Sequence, residues 1–308
     1  MRVASACFVK DEPELWAVDS DLEILFRNWF NRGFLTLQRI DWRTPAFVLE
    51  KLITYEAVHE IKGWEDLQRR VSTGRRCYAF FHPALPNEPI IFVQVGLVKG
   101  LVAAVGDIIG SNSDKTSEET PDQIREEDAD TAIFYSISNC QRGLVGIAFG
   151  DLLIKQVAEQ ISTDCPQVKT FATLSPVPGL AKWLSDTLDS LESSQRSIVE
   201  RYLACPEKVL DAENEDRKTL SHLCAHYLIN EKCGDAPADA VARFHLRNGA
   251  RLERINWLGD PSSKGLNESL GILVNYIYDL STVTKNHEKY VYEAGVVTSK
   301  AVKQLAKR

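Results

Sequence analysis

The 308-residue chain has no C-x-x-C pair, no internal repeat, no basic stripe and no apolar run approaching the ~18 residues of a membrane-spanning helix. Each absence removes a class of protein. The seven cysteines, Cys7, Cys77, Cys140, Cys165, Cys205, Cys224 and Cys233, are odd in number and dispersed. They read as free thiols of a reducing compartment, not as a disulfide framework or a zinc site. The net charge is −7, from 36 basic and 43 acidic side chains. With no clustering of Lys and Arg, that argues against nucleic acid as a partner. The lack of a long apolar run argues against the membrane. Residues 1–10 carry one apolar patch and run straight into Asp11, Glu12 and Glu14, which makes a poor signal or transit peptide. The C-terminus is not a Ser-Lys-Leu address. The expected compartment is the cytoplasm.

What remains is ordinary for a globular protein: 44% hydrophobic and 26% charged residues. That suffices for a sizeable core in one large domain or two small ones. The chain is organised around residues 131–182. Residues 132–138 are apolar and β-prone, a short buried strand. A polar turn follows, Asn139-Cys140-Gln141-Arg142-Gly143. From Leu144 the period becomes helical, through Ile147, Leu152, Leu153, Val157 and Ile161, until Pro166 stops it. Residues 168–174 form a second strand that delivers Ser175. Pro176 and Pro178 stiffen the backbone just after the hydroxyl, and Gly179 relieves the turn. A strand followed by a glycine-bearing turn into a helix can bind phosphate, because free N–H groups and the positive helix end point at the turn. By spacing alone the same pattern also suits a plain turn, and Ser175 a turn serine.

Upstream, residues 19–33 read as a packed helix with Leu22, Leu25, Phe26, Trp29 and Phe30 on one face. Thr44-Pro45 opens a second helix through Leu49, Leu52 and Ile53. Residues 56–70 read as a loop and a third helix, with Trp64 and Leu67 inward and His59 structural. Residues 77–81 and 90–97 form a hairpin, with His82 in its turn. Residues 107–130 are acidic and lack an apolar face, a surface loop. Downstream, 180–191 and 193–217 read as helical. His222 and His226 stand at i, i+4, a spacing that can chelate a metal, but no third ligand is evident and no metal is expected. Residues 235–242 read as a polar lead-in to Phe244-His245-Leu246, and 251–257 as a strand. Taken alone, a histidine between Phe and Leu is more often a packed residue.

The blocks TAIFYSIS, QRGLVGIAFGDLLIKQV, FATLSPVPGLAKWL, AHYLINEK and VARFHLRNGARLERINWLGD resemble malonyl-CoA decarboxylase. The likeness begins near Asp19, runs through EAVHEIKGWEDLQRRV and CYAFFHPALPNEPIIFVQVGL, and reaches Tyr278. It implies an α+β, GNAT-like mixed sheet flanked by helices, whose two central strands part to admit acyl-CoA. It also implies residues 1–72 as a helical N-terminal segment, the remnant of a helical domain that is largely missing, and 73–308 as the catalytic domain. By position, TLSPVPG carries the catalytic serine onto Ser175 and FHLRNGA the catalytic histidine onto His245. The CoA contacts fall on Val145, Gly146, Ile147, Ala148, Phe149, Gly150 and Asp151, with Ser175 and His245 also facing the substrate. Gly143 stands where the wider acyltransferase pattern has Gln or Arg, and Ala240 where relatives often have Pro, a change expected to alter only loop stiffness.

The implied reaction is malonyl-CoA to acetyl-CoA and CO2, part of fatty-acid metabolism. The thioester carbonyl is itself the electron sink, so no cofactor is expected and the acyl-CoA substrate is the small-molecule partner. In the family the serine is described as proton acceptor and the histidine as donor, and a histidine of ordinary pKa, about 6.5, carries a proton near neutral pH. Relatives use the helical domain for subunit contacts, so a homo-oligomer stays open. Two other readings share the CoA turn: a GNAT-type N-acyltransferase and a non-catalytic acyl-CoA sensor.

Overall fold

The computed structural model describes residues 16–30, 33–110, 126–144 and 150–307. In chain order its principal elements are α1 (Trp16–Trp29), β1 (Thr36–Ile40), α2 (Ala46–Tyr55), α3 (Trp64–Arg70), β2 (Arg75–His82), β3 (Leu85–Val98), β4 (Thr131–Asn139), α4 (Gly150–Asp164), β5 (Thr170–Thr173) and β6 (Ser175–Pro176). There follow α5 (Leu180–Asp186), α6 (Ser193–Ala204), α7 (Asn214–Asn230), α8 (Ala240–Arg247), β7 (Arg251–Asn256), α9 (Ser263–Ser269), β8 (Leu273–Ile277), α10 (Val283–Glu293) and α11 (Lys300–Leu305). The fold is α+β, as expected. Two compact units compose it. One takes the chain up to Leu97 together with 136–167; the other takes 98–135 and everything from Val168.

In the first unit β1, β2 and β3 pair antiparallel, with Cys77 opposite both Ile40 and Gln94. The β2–β3 hairpin follows from two β-prone runs around a proline turn. Ile40, Leu49, Leu52, Leu67, Ala79 and Phe92 close the core beside it. Pro45 caps α2, which helical geometry tolerates because the first N–H groups lack partners anyway. The loop before α3 is held by Arg70, whose guanidinium donates to the His59 and Glu60 carbonyls at 2.7 and 2.6 Å while pairing with Asp66. His59 is buried in that structural role. Glu56 is a second anchor: it accepts from Ser136 Oγ at 2.7 Å, Gln94 Nε2 at 2.5 Å and the Val58 and His59 N–H groups.

Two apolar surfaces differ from expectation. On α1, Leu25 and Trp29 are 38% and 58% exposed. Leu22, Phe26 and Phe30 of the expected face are half-buried, with Phe30 against the His82 ring at 4.8 Å. Helical periodicity identifies a face; it does not supply a neighbour to bury it. Trp64 is 46% exposed and meets Trp42 edge-on at 6.3 Å. The two-turn α3 buries Asp66, Leu67 and Arg70, and Trp64 lies at the margin of that face. The acidic stretch 107–130 lies mostly outside the described residues.

In the second unit β5 runs parallel to β4, from Thr131 opposite Thr170 to Phe134 opposite Thr173. The pairing stops there. Strand β4 runs on to Asn139, while Ser175 and Pro176 pair instead with Val274 and Leu273 of β8. Strand β8 also pairs antiparallel with β5 and β7, which makes the sheet mixed. Val98, Ile133, Tyr135, Ala172, Leu174 and Leu273 form its core.

A polar network crosses that core. Asn275, fully buried, accepts from Arg254 Nε at 3.1 Å and Asn256 Nδ2 at 2.9 Å, and donates to the Thr173 carbonyl at 2.8 Å. An unpartnered buried polar group costs about 1–3 kcal/mol. Asn275→Leu strands several at once, so chemical denaturation should show a loss of ~3 kcal/mol or more. A loss below ~1 kcal/mol would mean the network is dispensable.

Candidate active site

Ser175 lies at the point where β5 has ended and the chain turns to β8. The backbone there is fixed by Pro176 and Pro178, and the serine is 5% exposed. Seventy residues later α8 presents His245, 3% exposed, in its second turn. The Ser175 Oγ and His245 Nε2 atoms are 3.0 Å apart. The two residues that the family likeness singles out therefore meet. On the far side of the ring, Nδ1 lies 2.8 Å from the Tyr278 hydroxyl.

The direction of the protons follows from the serine. Its hydroxyl donates to Thr173 Oγ1 at 2.8 Å. The serine oxygen is then the acceptor toward His245, so the ring carries its hydrogen on Nε2. Nδ1 is correspondingly an acceptor for the Tyr278 hydroxyl. Thr173 Oγ1 also takes the Tyr276 N–H at 3.2 Å, which ties the chain of hydroxyls to the backbone of β8. The order is Tyr278, His245, Ser175, Thr173. Rings box in the imidazole: Tyr276 stacks on it at 4.6 Å and 28°, and Phe244 meets it edge-on at 5.0 Å.

That enclosure changes the histidine's charge. Burial pushes its pKa down to about 3, because a low-dielectric surrounding disfavours the imidazolium. The expectation of a histidine titrating near 6.5 is therefore corrected. At neutral pH His245 is a neutral imidazole that can pass on its Nε2 hydrogen and be refilled at Nδ1. Tyr276, fully buried behind it, is held well above its ordinary pKa, first by burial and then by the nearby Asp239.

The remaining expectations fare differently. Val145, Gly146, Ile147, Ala148 and Phe149 lie outside the described residues. Gly150 and Asp151 are the first described residues of α4, and Leu144, where the apolar period predicts a helix to start, is not in an α-helix. Arg142–Leu144 form one 3-10 turn instead, with Gln141 just before it donating to Glu88 Oε1 and the Pro89 carbonyl, both at 3.1 Å. His82 is a turn residue: its Nδ1 accepts the Ala84 N–H at 3.0 Å. On α7, His222 Nδ1 meets the Leu305 carbonyl at 2.8 Å and His226 Nδ1 accepts from Asn230 at 3.0 Å. Among the described residues no group of three His, Cys, Asp or Glu could hold a metal, and no helix is long and apolar enough to cross a membrane.

Sequence reading missed Tyr278 and Thr173. A usable signal existed for Thr173, which stands two residues before Ser175 at the end of an extended segment. Tyr278 had none, because nothing local separates it from other aromatic residues on a strand.

The fold is α+β, and it buries a hydroxyl–imidazole chain at a site shielded from water. The sequence pattern of the family described as the malonyl-CoA decarboxylase C-terminal domain matches residues 33–308, and the chain belongs to that family. It is 37% identical to the mitochondrial malonyl-CoA decarboxylase of Anser anser anser, over 95% of this chain and 62% of the relative. Against the mouse enzyme the figures are 35%, 98% and 65%. The chain thus spans a little under two thirds of the curated relatives it matches. The solved structure of malonyl-CoA decarboxylase from Agrobacterium vitis superposes with a TM-score of 0.90 at 46% identity, over all of this chain and 75% of that one. That from Rhodopseudomonas palustris gives 0.86 at 44% identity, over 98% and 74%.

Proposed function

We propose that this protein is a malonyl-CoA decarboxylase, a carboxy-lyase that converts malonyl-CoA to acetyl-CoA and CO2 in fatty-acid metabolism. The observation that carries the reading is the buried chain Tyr278–His245–Ser175, in a member of the family whose relatives bear that name. Residues 73–308 form the catalytic region and 1–72 its lead-in, and the expected compartment is the cytoplasm. No metal or organic cofactor is required, since the thioester carbonyl accepts the electron pair released when the C–C bond breaks.

The chain's own residues would then act as follows. Val145, Gly146, Ile147, Ala148, Phe149, Gly150 and Asp151 hold the CoA phosphates through backbone N–H groups. Ser175 orients the malonyl group so that the breaking bond stands perpendicular to the carbonyl plane. The dry surroundings strip water from the carboxylate, and polar groups fixed nearby stabilise the enolate oxygen. His245 delivers its Nε2 hydrogen to the α-carbon. The Tyr278 hydroxyl lends a hydrogen to Nδ1 as the Nε2 hydrogen leaves; Nδ1 returns it to the phenolate as solvent reprotonates Nε2, which restores the starting tautomer and makes the net consumption one proton per CO2 released.

Malonyl-CoA incubated with the purified protein should disappear in step with the appearance of acetyl-CoA and CO2. Malonyl-CoA recovered intact from a protein that binds it would refute the decarboxylase and favour a sensor. The relay makes a narrower demand. Tyr278→Phe keeps the ring and removes the proton supply to Nδ1, so kcat should fall by ~10- to 100-fold with little change in KM, because the interaction matters only as the proton moves. Steady-state kinetics reads this directly, and an unchanged kcat would remove Tyr278 from the relay.

A further inference from the structure

One carboxylate touches both segments that carry the reacting pair. Asp239 is 1% exposed. It is the N-cap of α8, with Oδ1 accepting the N–H groups of Val241 and Ala242, each at 2.9 Å. These are the donors that a helix start leaves without partners. Its other oxygen, Oδ2, accepts the Gly179 N–H at 3.3 Å. Gly179 ends the Ser175-Pro-Val-Pro-Gly segment. The position suits only glycine, since a Cβ there would come within 2.1 Å of the Tyr227 hydroxyl.

We propose that Asp239 is a positioning residue that sets the Ser175–His245 separation by clamping the serine loop to the helix that carries the histidine. The inference rests on the reading of that pair as the reacting groups. The geometry leaves few alternatives for the side chain. A cap alone needs one oxygen, and serine, threonine or asparagine would serve as well. Burying a full carboxylate is costly, and here burial raises its pKa against the opposing pull of its three backbone donors. The second oxygen accounts for that cost, since it reaches Gly179, sixty residues away in sequence. Between Gly179 and Ser175 two prolines limit the backbone, so a shift at Gly179 is passed on to the hydroxyl. On the other arm, α8 is rigid from its cap to His245. The loop-stiffness role expected for the Asp239-Ala240 step is corrected by the same geometry: Ala240 is the first residue of α8, a position that proline also suits.

Asp239→Asn tests the proposal, because it can keep the cap through its one carbonyl oxygen while the amide faces the Gly179 N–H donor to donor. Asp239→Ser is the second variant, a good cap that is too short to reach Gly179. Both should fold. For each, kcat on malonyl-CoA should drop by ~10-fold or more while KM moves by less than ~3-fold. In protein labelled with 15N-histidine and free of ligand, the His245 ring signals should move toward those of Ser175→Ala, as the hydrogen bond to Nε2 loosens. A lower melting temperature with kcat and the ring signals unchanged would make Asp239 a helix cap only and overturn the proposal. The two readouts also separate the failures. Ring signals that move in a protein without decarboxylase activity would sink the decarboxylase reading and keep the clamp; an active wild type with signals that stay in place would do the reverse.

Discussion

Replacing His245 by glutamine is expected to lower malonyl-CoA turnover by ~10²- to 10⁴-fold, the range over which positioned proton transfer contributes. Glutamine can still donate a hydrogen bond to Ser175 Oγ, so the serine is not left unpaired. What it cannot do is release a hydrogen at one ring atom and accept one at another. The loss should therefore appear in kcat and leave KM little changed. The pair is buried, so water has poor access to replace the missing donor. A folded variant that retains more than ~10% of wild-type kcat would show that the proton reaches the α-carbon by another route.

The same burial predicts a large pH effect on stability. Folded His245 has its pKa lowered to about 3, against an unfolded value of about 6.5. Above pH 6.5 the imidazole is neutral in both states and its contribution is complete. As pH falls below 6.5, the unfolded chain binds a proton that the folded protein refuses, and stability declines until about pH 3. The slope for one proton is about 1.4 kcal/mol per pH unit, or about 2 kcal/mol between pH 6.5 and 5. Asp239 acts in the opposite sense, because its folded pKa is raised. The comparison that isolates the histidine is wild type against His245→Gln, in which the aspartate contribution cancels. Urea denaturation at pH 7 and pH 5 should show the wild type losing ~2 kcal/mol more than the variant. Equal losses would mean that the histidine is solvated and charges freely in the folded state.

Much of this could be read from the chain itself, where a short stretch carries its own signal. Strands β2, β3 and β4 follow from β-prone apolar runs, and α2 from Pro45 with Leu49 and Leu52. The face of α1 was legible while its exposure was not, because burial depends on elements far away in sequence. At Leu144 the apolar period runs on smoothly and hides the 3-10 turn at Arg142–Leu144. For the site, Ser175 and His245 stood out only through family likeness. Their contact spans seventy residues and two elements, and no local pattern encodes it. Asp239 reads only as part of a polar lead-in, and its second oxygen reaches a loop that only the fold brings near. The depressed histidine pKa was likewise invisible, since Tyr276 and Phe244 enclose the ring only after folding.

The central claim is that Ser175 and His245 act as one unit on malonyl-CoA. A double-mutant cycle on decarboxylation, with wild type, Ser175→Ala, His245→Gln and the double variant, tests it most directly. The predicted result is an active wild type, single variants each reduced by ~10²-fold or more, and a double variant no worse than the weaker single one, since residues of one unit do not lose rate additively. Losses that multiply in the double variant, or single variants that turn over at the wild-type rate, would contradict it.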